Sequence, residues 1–501
     1  MAEPSTGRAD ASVSLLLNGE PLHYAGAADM TLLDWLRTGR GLKGTKEGCA
    51  EGDCGACTVV VGTLADGRVQ HRAINACIAL MPMLSGRSVW TVEGLAGPGG
   101  SLHPAAAAMI DRQASQCGFC TPGFVMSLAA AAMSDRRLLD RREIGDELAG
   151  NLCRCTGYGP IIEAARRMGE IARPDWESER LQREREGLAS LAVATGATGE
   201  QPALLSGQQP MAHLPSSLDE LDRLLASRPA ATIVAGATDI GLHVTKALRP
   251  LGPQIHLDRV PELRAIDVAA GRLVIGAMVT YSQAEPVFAA QIPALAELVR
   301  RIGSRQVRNA GTIGGNIANG SPIGDMPPAL IALGATLVLR AGGTERRIPL
   351  EDYFLAYGRQ DRRPGEYVRA VELDLPGPGR LLGFHKVSKR FDQDISAVCG
   401  GFNIALGDDG TVTGVRIAYG GMAATPRRAS HVEAALAGEP WTEATVARAC
   451  DAYVADFTPI TDMRASAGYR LEVARNLIWR VFHESRHGPG ATRLVGPDAT
   501  I

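Results

Sequence analysis

The first part of the chain alternates apolar and polar residues in the manner of short strands. Residues 12–24 follow this period-two pattern around an Asn-Gly dipeptide, which favours a tight hairpin turn. Thr31 stands where a helix N-cap is expected, directly before a short apolar run. A loop rich in glycine and cysteine covers residues 39–57, and the β-branched run Thr58 to Val61 predicts the next strand.

The pattern becomes helical from about residue 103. We predict helices over an alanine-rich segment, over Gly123 to Met133 and over Arg142 to Leu148, in a second small domain that ends near Arg173. Residues 174–210 then change from a charged stretch to a polar stretch with no sustained apolar period. This composition predicts a linker that lets the flanking domains dock independently.

Helices and strands alternate from Leu214 onward, as they do in α/β or α+β domains. A last portion, from about Leu382, begins with strands joined by an Asp-Gly turn. It ends in a helical segment that runs from Thr442 to about Glu484. The order of these patterns predicts a chain of several domains with both helices and sheets.

Composition and charge narrow the class of protein. A length of 501 residues exceeds what one hydrophobic core supports, and 45% hydrophobic with 21% charged residues is ordinary for a globular protein. A formal net charge of −2 gives no electrostatic reason to expect nucleic acid or a membrane surface as partner. We find neither a long apolar run nor a signal-peptide core, so we expect a cytoplasmic protein.

The cysteines are unevenly distributed, since eight of the ten lie within the first 155 residues. A secreted domain could join eight cysteines in disulfides, but the sequence carries no visible export signal. In a reducing compartment such clusters are more often metal ligands. The spacing of the cysteines therefore decides between these interpretations.

The first cysteine set follows the plant-type spacing of a [2Fe–2S] cluster. Cys49, Cys54 and Cys57 form the pattern C-x4-C-x2-C, and Cys77 supplies the fourth thiolate from a separate segment. The glycines between them suit the tight turns and the backbone N–H groups that cluster sulfurs need. Zinc is the alternative, because four cysteines also suit a tetrahedral site, although zinc sites usually show two close pairs.

The second cysteine set combines a C-x2-C pair, Cys117 and Cys120, with a C-x-C pair, Cys153 and Cys155. Each pair is predicted to open a helix, whose free N–H groups lower thiol pKa and stabilise a negatively charged cluster. A C-x2-C pair alone could be a thioredoxin-like redox site. Because the second pair completes a four-ligand set, we predict a second [2Fe–2S] cluster.

Three cysteine motifs carry a resemblance to a known family. The segments Gly48–Cys57 (GCAEGDCGAC), Gln116–Gly123 (QCGFCTPG) and Asn151–Tyr158 (NLCRCTGY) resemble the iron–sulfur half of the xanthine oxidase family of molybdenum hydroxylases. In that family the helical-domain cluster lies nearer the molybdenum, and the plant-type cluster lies nearer the flavin.

Two later stretches resemble the FAD-binding domain of the same family. The first, Thr232–Gly241, is predicted to be a strand that turns at Gly236 into a helix capped by Thr238. Many family members carry Gly-Gly or Gly-Asn where this chain has Gly236-Ala237. The second, Gly311–Asn316, has adjacent glycines that let the backbone approach a phosphate closely. The resemblance places the FAD pyrophosphate between these two loops.

The resemblance implies a set of flavin contacts on this chain. We expect the Asp239 carboxylate to accept a hydrogen bond from a ribitol hydroxyl or a backbone N–H. The residues carried over to FAD binding are Val234, Ala235, Gly236, Ala237, Thr238, Asp239, Ile240, Gly241, Ile302, Thr312, Ile313, Gly314, Gly315, Asn316, Asp325 and Lys386.

The last domain resembles the flavoprotein C-terminal domain of the family. Its Tyr419–Met422 loop, which precedes Arg427 and Arg428, is expected to border the flavin. The two remaining cysteines, Cys399 and Cys450, are isolated in apolar surroundings, and we predict buried structural thiols.

The resemblance also implies the fold class. We expect a multidomain α+β chain with a β-grasp ferredoxin-like domain, a helical [2Fe–2S] domain, an α/β FAD-binding domain and an α+β flavoprotein C-terminal domain. The expected boundaries are 1–92, 93–173, a linker at 174–210, 211–380, 381–490 and a tail at 491–501.

The function implied is that of an oxidoreductase subunit with no catalytic residue beyond the flavin. The family's molybdenum cofactor needs a further large region, so we expect a separate large subunit, in a heterodimer that dimerises further. Electrons from hypoxanthine or xanthine would pass from that subunit through both clusters to FAD and on to NAD⁺. Clusters and flavin on one chain favour such a purine-oxidising enzyme over carbon monoxide dehydrogenase-like relatives, which usually carry them on separate chains.

Two alternatives stay open. One is the equivalent subunit of an aldehyde or N-heterocycle hydroxylase, and the other is a stand-alone iron–sulfur flavoprotein reductase or redox sensor. A purely structural zinc protein is the least favoured interpretation.

Overall fold

The computed structural model describes residues 13–136, 138, 140–196, 204–206, 209–488 and 490–492. The first twelve residues, parts of the predicted linker (197–203 and 207–208) and most of the predicted tail (493–501) lie outside these described residues. The chain forms two compact units. The first comprises Met1–Pro261 and Ser304–Gly311, and the second comprises Glu262–Gly303 and Thr312–Ile501.

The first unit begins with a five-stranded sheet in the order β2-β1-β5-β3-β4. Strands β1 and β5 are parallel, and the other neighbours are antiparallel. The predicted hairpin turn is confirmed, and so is the Thr31 cap, whose hydroxyl accepts from the Asp34 N–H at 3.1 Å. The elements are β1 (Val13–Leu17), β2 (Glu20–Tyr24), α1 (Leu32–Asp34), β3 (Thr58–Ala65), β4 (Arg68–Asn75) and β5 (Ser88–Trp90).

Four helices follow, and they include those predicted from the sequence. Helix α3 is buried along most of its length, because its alanines let the neighbouring helices approach closely. Helix α4 begins with a capping box formed by Asp140 and Glu143. The helices are α2 (Pro104–Asp111), α3 (Thr121–Met133), α4 (Arg141–Leu148) and α5 (Gly159–Met168).

The predicted linker is wrong over Asp175–Gly196, which forms the 22-residue helix α6. Its buried residues Glu177, Arg180, Glu184 and Leu188 are spaced three or four apart and therefore share one helix face. Three of these four residues are charged. The face that packs is thus not an apolar stripe, which is why the apolar pattern did not reveal the helix.

Buried polar contacts hold α6 against the sheet. The Glu184 carboxylate accepts from His71 Nε2 at 2.9 Å and from Trp90 Nε1 at 2.8 Å, and Ser88 donates its hydroxyl to it as well. His71 Nδ1 lies 3.3 Å from the Met133 carbonyl oxygen at the end of α3. Both ring nitrogens of His71 thus face oxygen acceptors, and His71 and Glu184 form a buried pair.

A small sheet completes the first unit, in the order β6-β7-β9-β8, with β7, β8 and β9 parallel. It resembles half of an α/β domain, because helices connect its strands. The elements are β6 (Leu204–Ser206), β7 (Gln209–His213), α7 (Leu218–Ser227), β8 (Thr232–Val234), α8 (Gly241–Thr245) and β9 (Gln254–His256).

The second unit has an antiparallel sheet in the order β10-β11-β16-β12-β13 and a small hairpin of β14 and β15. One helix within this stretch of sequence, α11, belongs to the first unit. The elements are β10 (Ile266–Ala269), β11 (Arg272–Gly276), α9 (Tyr281–Gln291), α10 (Pro293–Arg300), α11 (Arg305–Ala310), α12 (Ile313–Asn319), α13 (Met326–Leu333), β12 (Thr336–Ala341), β13 (Thr344–Pro349), β14 (Phe354–Ala356), β15 (Arg359–Gln360) and β16 (Tyr367–Asp374).

A four-stranded sheet covered by helices ends the second unit, in the order β17-β18-β19-β20. Its core contains Phe402, Tyr419 and Tyr453, and both Cys399 and Cys450 are buried as predicted. Among the described residues, no helix combines the length and apolar character that a membrane span needs. The elements are β17 (Arg380–Val387), β18 (Val398–Leu406), β19 (Val412–Gly420), β20 (Arg427–Arg428), α14 (Ser430–Leu436), α15 (Glu443–Asp451), α16 (Tyr453–Asp456) and α17 (Ala467–His487). The predicted multidomain α+β fold is confirmed.

Candidate cofactor sites

The loop between α1 and β3 aims backbone N–H groups at a cysteine sulfur. The N–H groups of Glu51, Asp53 and Cys54 lie 3.3–3.4 Å from Cys49 Sγ. The loop can turn this tightly because Gly55 has a φ of +67°, which glycine adopts without strain. A side chain at Gly55 would also collide with the Gly150 carbonyl. Three N–H donors around one sulfur create a position suited to a thiolate.

The four cysteines of the first set shift one another's pKa values in two pairs, Cys49 with Cys54 and Cys57 with Cys77. The hydrogen bond from Cys54, assisted by the backbone N–H groups, lowers the pKa of Cys49 to about 5. The hydrogen bond with Cys77 likewise lowers the pKa of Cys57, and the pKa values of Cys54 and Cys77 rise because these thiols keep the shared protons.

This pairing fits a two-iron cluster, in which each iron takes two thiolates. The pairs are close enough to interact electrostatically, since the Cys49 charge acts on both Cys57 and Cys77. The arrangement of the first set as two pairs is the feature that matches the predicted cluster.

The second cysteine set also forms two pairs, Cys117 with Cys155 and Cys120 with Cys153. Cys120 occupies the N-cap position of α3, as predicted. The prediction that the other pair directly opens a helix is wrong, because α5 begins only at Gly159. Tyr158, with a φ of +67°, reverses the chain before α5, and its hydroxyl accepts from the Cys153 N–H at 2.9 Å.

Thr156 stabilises the thiolate form of Cys153. Its hydroxyl lies 3.1 Å and its N–H 3.4 Å from Cys153 Sγ. Burial by itself would raise the pKa of Cys153, but these hydrogen bonds outweigh it and lower that pKa. Hydrogen bonds to cluster sulfurs also raise the reduction potential, because they favour the more negatively charged reduced state.

Replacing Thr156 by valine, which removes the hydroxyl at nearly constant volume, is therefore expected to lower the reduction potential of the second cluster. A redox titration followed by EPR measures both clusters in one sample, so the first cluster is the internal control. An unchanged second-cluster potential, or an equal shift of both, would contradict this role of Thr156.

The two cysteine regions touch each other within the first unit. The Leu152 N–H donates to the Cys54 carbonyl at 3.0 Å, and Asn151 Nδ2 donates to the Gly55 carbonyl at 3.0 Å. The cysteine pattern gave no indication of this contact, because Asn151 and Gly55 are far apart in sequence. The structure thus joins the loops of both sets by direct hydrogen bonds.

The first predicted flavin loop lies between β8 and α8 in the first unit. Gly236 packs against the Ala310 carbonyl so closely that a side chain there would collide with it. Ala237 has a φ of +56°, so the loop keeps a left-handed turn although the residue carries a methyl group. The prediction that Thr238 caps the helix is wrong, since α8 begins at Gly241, with Ile240 in the N-cap position and no side-chain cap.

This loop packs against the first cysteine set. A Cβ on Gly241 would lie 2.9 Å from the Ile78 carbonyl oxygen, and Ile78 directly follows Cys77 of the first set. Ile240 packs into the same core as Cys57 and Cys77. Asp239 is exposed. The structure therefore places the predicted stretch from Val234 to Gly241 beside the first set.

The second predicted flavin loop opens α12 in the second unit. Thr312 caps this helix by accepting from the Gly315 N–H at 3.0 Å, and Ile313 is buried beneath it. Gly314 lies against Ala277, where a Cβ would come within 2.6 Å of the Ala277 Cα. Asn316 Oδ1 is a buried acceptor without a hydrogen-bond donor among the described residues. An orphaned acceptor at this loop fits a site that a polar cofactor completes.

Asp325 and Lys386 form a buried ion pair, with Lys386 Nζ 2.7 Å from Asp325 Oδ2. The hydroxyl of Ser396 donates to the other Asp325 oxygen, and the Cys399 thiol lies 3.6 Å from the Asp325 backbone carbonyl. Arg301, next to the predicted contact Ile302, donates to the Lys386 carbonyl at 2.7 Å.

Sequence reasoning missed several members of this cluster. Ser396 and Arg301 stand in no recognisable motif, and Cys399 was expected in apolar surroundings. The structure corrects that expectation for Cys399, because its thiol lies beside a buried ion pair. Burial nevertheless raises the pKa of Cys399, which keeps it a neutral thiol.

Four family models match the chain in the order of these sites. They are a 2Fe-2S iron-sulfur cluster binding domain at residues 15–82 and a [2Fe-2S] binding domain at 91–166. They continue with the FAD binding domain in molybdopterin dehydrogenase at 208–376 and the CO dehydrogenase flavoprotein C-terminal domain at 384–485. The cysteine sets lie in the first two matches, and both flavin loops lie in the third.

Curated relatives match over most of this chain. Xanthine dehydrogenase of Oryza sativa subsp. japonica is 31% identical over 484 residues, covering 83% of this chain and 35% of that protein. Aldehyde oxidase 2 of Cavia porcellus is 31% identical over 504 residues, covering 90% of this chain and 37% of that protein. The chain thus spans about a third of the length of the curated relatives it matches.

Solved structures match about half of this chain. Carbon monoxide dehydrogenase from Hydrogenophaga pseudoflava, in a form lacking the Mo-pyranopterin moiety, is 30% identical with a TM-score of 0.51, covering 55% of this chain and 96% of its own. Quinoline 2-oxidoreductase from Pseudomonas putida 86 is 27% identical with a TM-score of 0.51, covering 57% of this chain and 99% of its own. The chain therefore belongs to the molybdenum hydroxylase family, and its iron–sulfur and FAD domains correspond to the electron-transfer part of that family.

Proposed function

We propose that this chain transfers electrons from a molybdenum-cofactor subunit, which oxidises hypoxanthine or xanthine, to NAD⁺. The observation that carries the proposal is the order of sites within the first unit. The second cysteine set is hydrogen-bonded to the first, and the first supports the flavin loop at Gly241. When bound, FAD exchanges electrons in pairs and each [2Fe–2S] cluster exchanges them singly, so the three groups connect hydride chemistry with single-electron flow.

The residues have separate tasks in this proposal. Cys49, Cys54, Cys57 and Cys77 would hold the plant-type cluster, and Cys117, Cys120, Cys153 and Cys155 would hold the second. The FAD would be bound by the loop from Val234 to Gly241, by Thr312 to Asn316, and by Ile302, Asp325 and Lys386. The contacts described above, including the orphaned Asn316 oxygen, support these assignments.

The surroundings of the second cysteine set suit a docking surface for the molybdenum subunit. Cys117 and Cys155 are exposed, and three large apolar side chains from the same ligand loops are exposed beside them. Phe119 is 48%, Leu152 38% and Tyr158 37% exposed. Apolar side chains grouped around an exposed redox site favour a protein partner over open solvent. We propose that a large molybdenum-bearing subunit covers this surface.

Coverage by relatives supports a xanthine dehydrogenase type of enzyme. The curated xanthine dehydrogenase of Emericella nidulans matches 95% of this chain, including both cysteine sets, whereas the carbon monoxide dehydrogenase chain matches 55%. Clusters and flavin on one polypeptide are therefore shared with the xanthine dehydrogenases. The match to aldehyde oxidase 2 supports a second candidate, in which the partner subunit hydroxylates an aldehyde or an N-heterocycle instead.

Co-purification of the native protein tests this function. We expect a large molybdenum-containing partner, and NAD⁺ reduction that depends on xanthine. The same partner without xanthine activity, but active on aldehydes or quinoline-type compounds, would favour the second candidate. Isolation of a chain that oxidises NADH with acceptor dyes and never binds a molybdenum protein would contradict both.

A glycine substitution tests the flavin loop separately from the clusters. Replacing Gly236 by valine is expected to remove FAD, because the added side chain collides with the Ala310 carbonyl and displaces the loop. Flavin fluorescence after denaturation, normalised to iron, measures the loss. The control is Gly377→Val, where nothing lies within 4 Å of the added Cβ. Full FAD content in the Gly236 variant would contradict the assignment of this loop.

A further inference from the structure

A buried amide lies where the loops of both cysteine sets meet. Gln306, on α11, is 1% exposed, and its Nε2 lies 3.1 Å from Asn151 Oδ1 and from Ser127 Oγ. The same nitrogen lies 3.3 Å from Thr58 Oγ1. All four side chains belong to the first unit, although Gln306 is more than 150 residues beyond the last cysteine of the second set.

The hydrogen bonds around Gln306 admit only a donor. Ser127 already donates its proton to Asn151 Oδ1 at 2.7 Å, and Thr58 donates its proton to the Gly55 carbonyl at 2.6 Å. Asn151 Nδ2 donates to Gly55 and to Thr58 Oγ1, so its carbonyl oxygen remains an acceptor. Three acceptors therefore face one position, and the two hydrogens of the Gln306 amide nitrogen are shared among them.

Each hydrogen-bond partner of Gln306 lies on a chain segment that carries a proposed cysteine ligand. Thr58 directly follows Cys57, Asn151 precedes Cys153 by two residues, and Ser127 lies on the helix capped by Cys120. Gly150 lies so close to Gln306 that a Cβ there would stand 2.7 Å from the Gln306 Cδ. A single side chain thus connects segments that carry ligands of both sets.

We propose that Gln306 is a positioning residue for the two clusters, supplied by the flavin-domain part of the sequence. Its amide holds the segments after Cys57, after Cys120 and before Cys153 in one arrangement, and so fixes the distance between the clusters. This inference rests on the proposed function, because it requires both cysteine sets to hold [2Fe–2S] clusters. It adds that a residue within the region matching the FAD-binding model controls the geometry of the iron–sulfur pair.

The variant Gln306→Met tests the proposal, since methionine fills a similar volume and donates no hydrogen bond. The chain is reduced fully, and the magnetic splitting between the two clusters is measured by EPR beside the iron content. We expect the wild-type iron content with a narrowed or lost splitting. Unchanged splitting in a variant with full iron would overturn the proposal.

The variant Asn309→Ala distinguishes the role of the Gln306 amide from the role of the helix α11 that carries it. Asn309 lies on the same helix as Gln306, and its Nδ2 donates to the Ala73 carbonyl at 2.8 Å, a contact on β4. We expect it to leave the splitting unchanged. An equal change in both variants would show that loosening α11 is the cause, and would overturn the specific role of Gln306.

Ser127→Ala keeps the test decisive if Gln306→Met does not fold. It removes one of the three acceptors, so we expect a smaller change of splitting in the same direction. An unchanged splitting in this variant would overturn the proposal. Failure of the proposed function is distinguishable from failure of this inference. If the proposed function is wrong, the wild-type chain lacks iron. If only the role of Gln306 is wrong, the iron is present and the splitting is unchanged in the variant.

Discussion

Replacing Cys77 by serine is expected to remove half of the bound iron and one of the two EPR signals. Cys77 is the one cysteine of the first set that lies outside the Cys49–Cys57 loop, and it is paired with Cys57. A serine hydroxyl has a far higher pKa than a thiol, so it does not supply the fourth anionic ligand. The second set shares no ligand with the first, so its signal is expected to persist.

Cys450→Ser is the matched control for this experiment. Cys450 is also buried, but it packs in the core of the second unit and belongs to neither set. Its variant is expected to keep all of the iron and both signals. Loss of iron in both variants, or retention of both signals after replacement of Cys77, would contradict the ligand assignment.

Replacing Glu184 by alanine is expected to lower the free energy of unfolding of the first unit by about 3–5 kcal/mol, the usual cost of removing one member of a buried ion pair. The change leaves the buried His71 ring without its carboxylate partner, and it also deprives Ser88 and Trp90 of their acceptor. Urea unfolding followed by tryptophan fluorescence reports on this region, because Trp90 contacts the altered carboxylate.

Glu186→Ala is the control on the same helix, because Glu186 is exposed and pairs only with Gln182 there among the described contacts. We expect it to change the free energy of unfolding by about 0.5 kcal/mol at most, as an ordinary surface substitution does. The double variant His71→Leu with Glu184→Leu is expected to recover part of the stability, since neither polar group is then buried without its partner. Equal effects of Glu184→Ala and Glu186→Ala would contradict the anchoring of α6.

The same ion pair predicts how stability depends on pH. Burial would raise the pKa of Glu184, but the hydrogen bond and charge of His71, with Ser88 and Trp90, outweigh it and lower that pKa. A carboxyl whose pKa is lower in the folded state stabilises above its unfolded pKa, and this contribution is lost as the pH falls through its folded value. The stability difference between wild type and Glu184→Ala is therefore expected to shrink on acidification, and a constant difference would contradict the pairing.

The cysteine sets were predictable because ligand chemistry imposes its spacing on the sequence itself. The same holds for Thr31, whose cap depends on residues three positions away. Helix α6 was missed since the face it buries carries Glu177, Arg180 and Glu184, and charged residues contribute nothing to an apolar pattern. Gln306 was missed for another reason: its partners lie more than 150 residues away, so no local pattern relates them.

The flavin loops show where a motif predicts the place but not the details. The stretch from Gly236 to Gly241 does form a turn after a strand, but the helix starts later than Thr238 suggested. Helix starts depend on which residue first adopts helical geometry, and here Ala237, directly before Thr238, is in the left-handed region. The neighbours of Asp325 depend on tertiary packing, which the sequence alone does not reveal.

An EPR-monitored redox titration of the purified chain, with iron, zinc and FAD measured on the same sample, decides whether the chain carries two clusters and a flavin. We expect two distinct signals of equal intensity with separate potentials, together with bound FAD and no zinc. One signal, zinc in place of iron, or a chain without flavin would contradict the assignment of the two cysteine sets and the flavin loops to electron transfer.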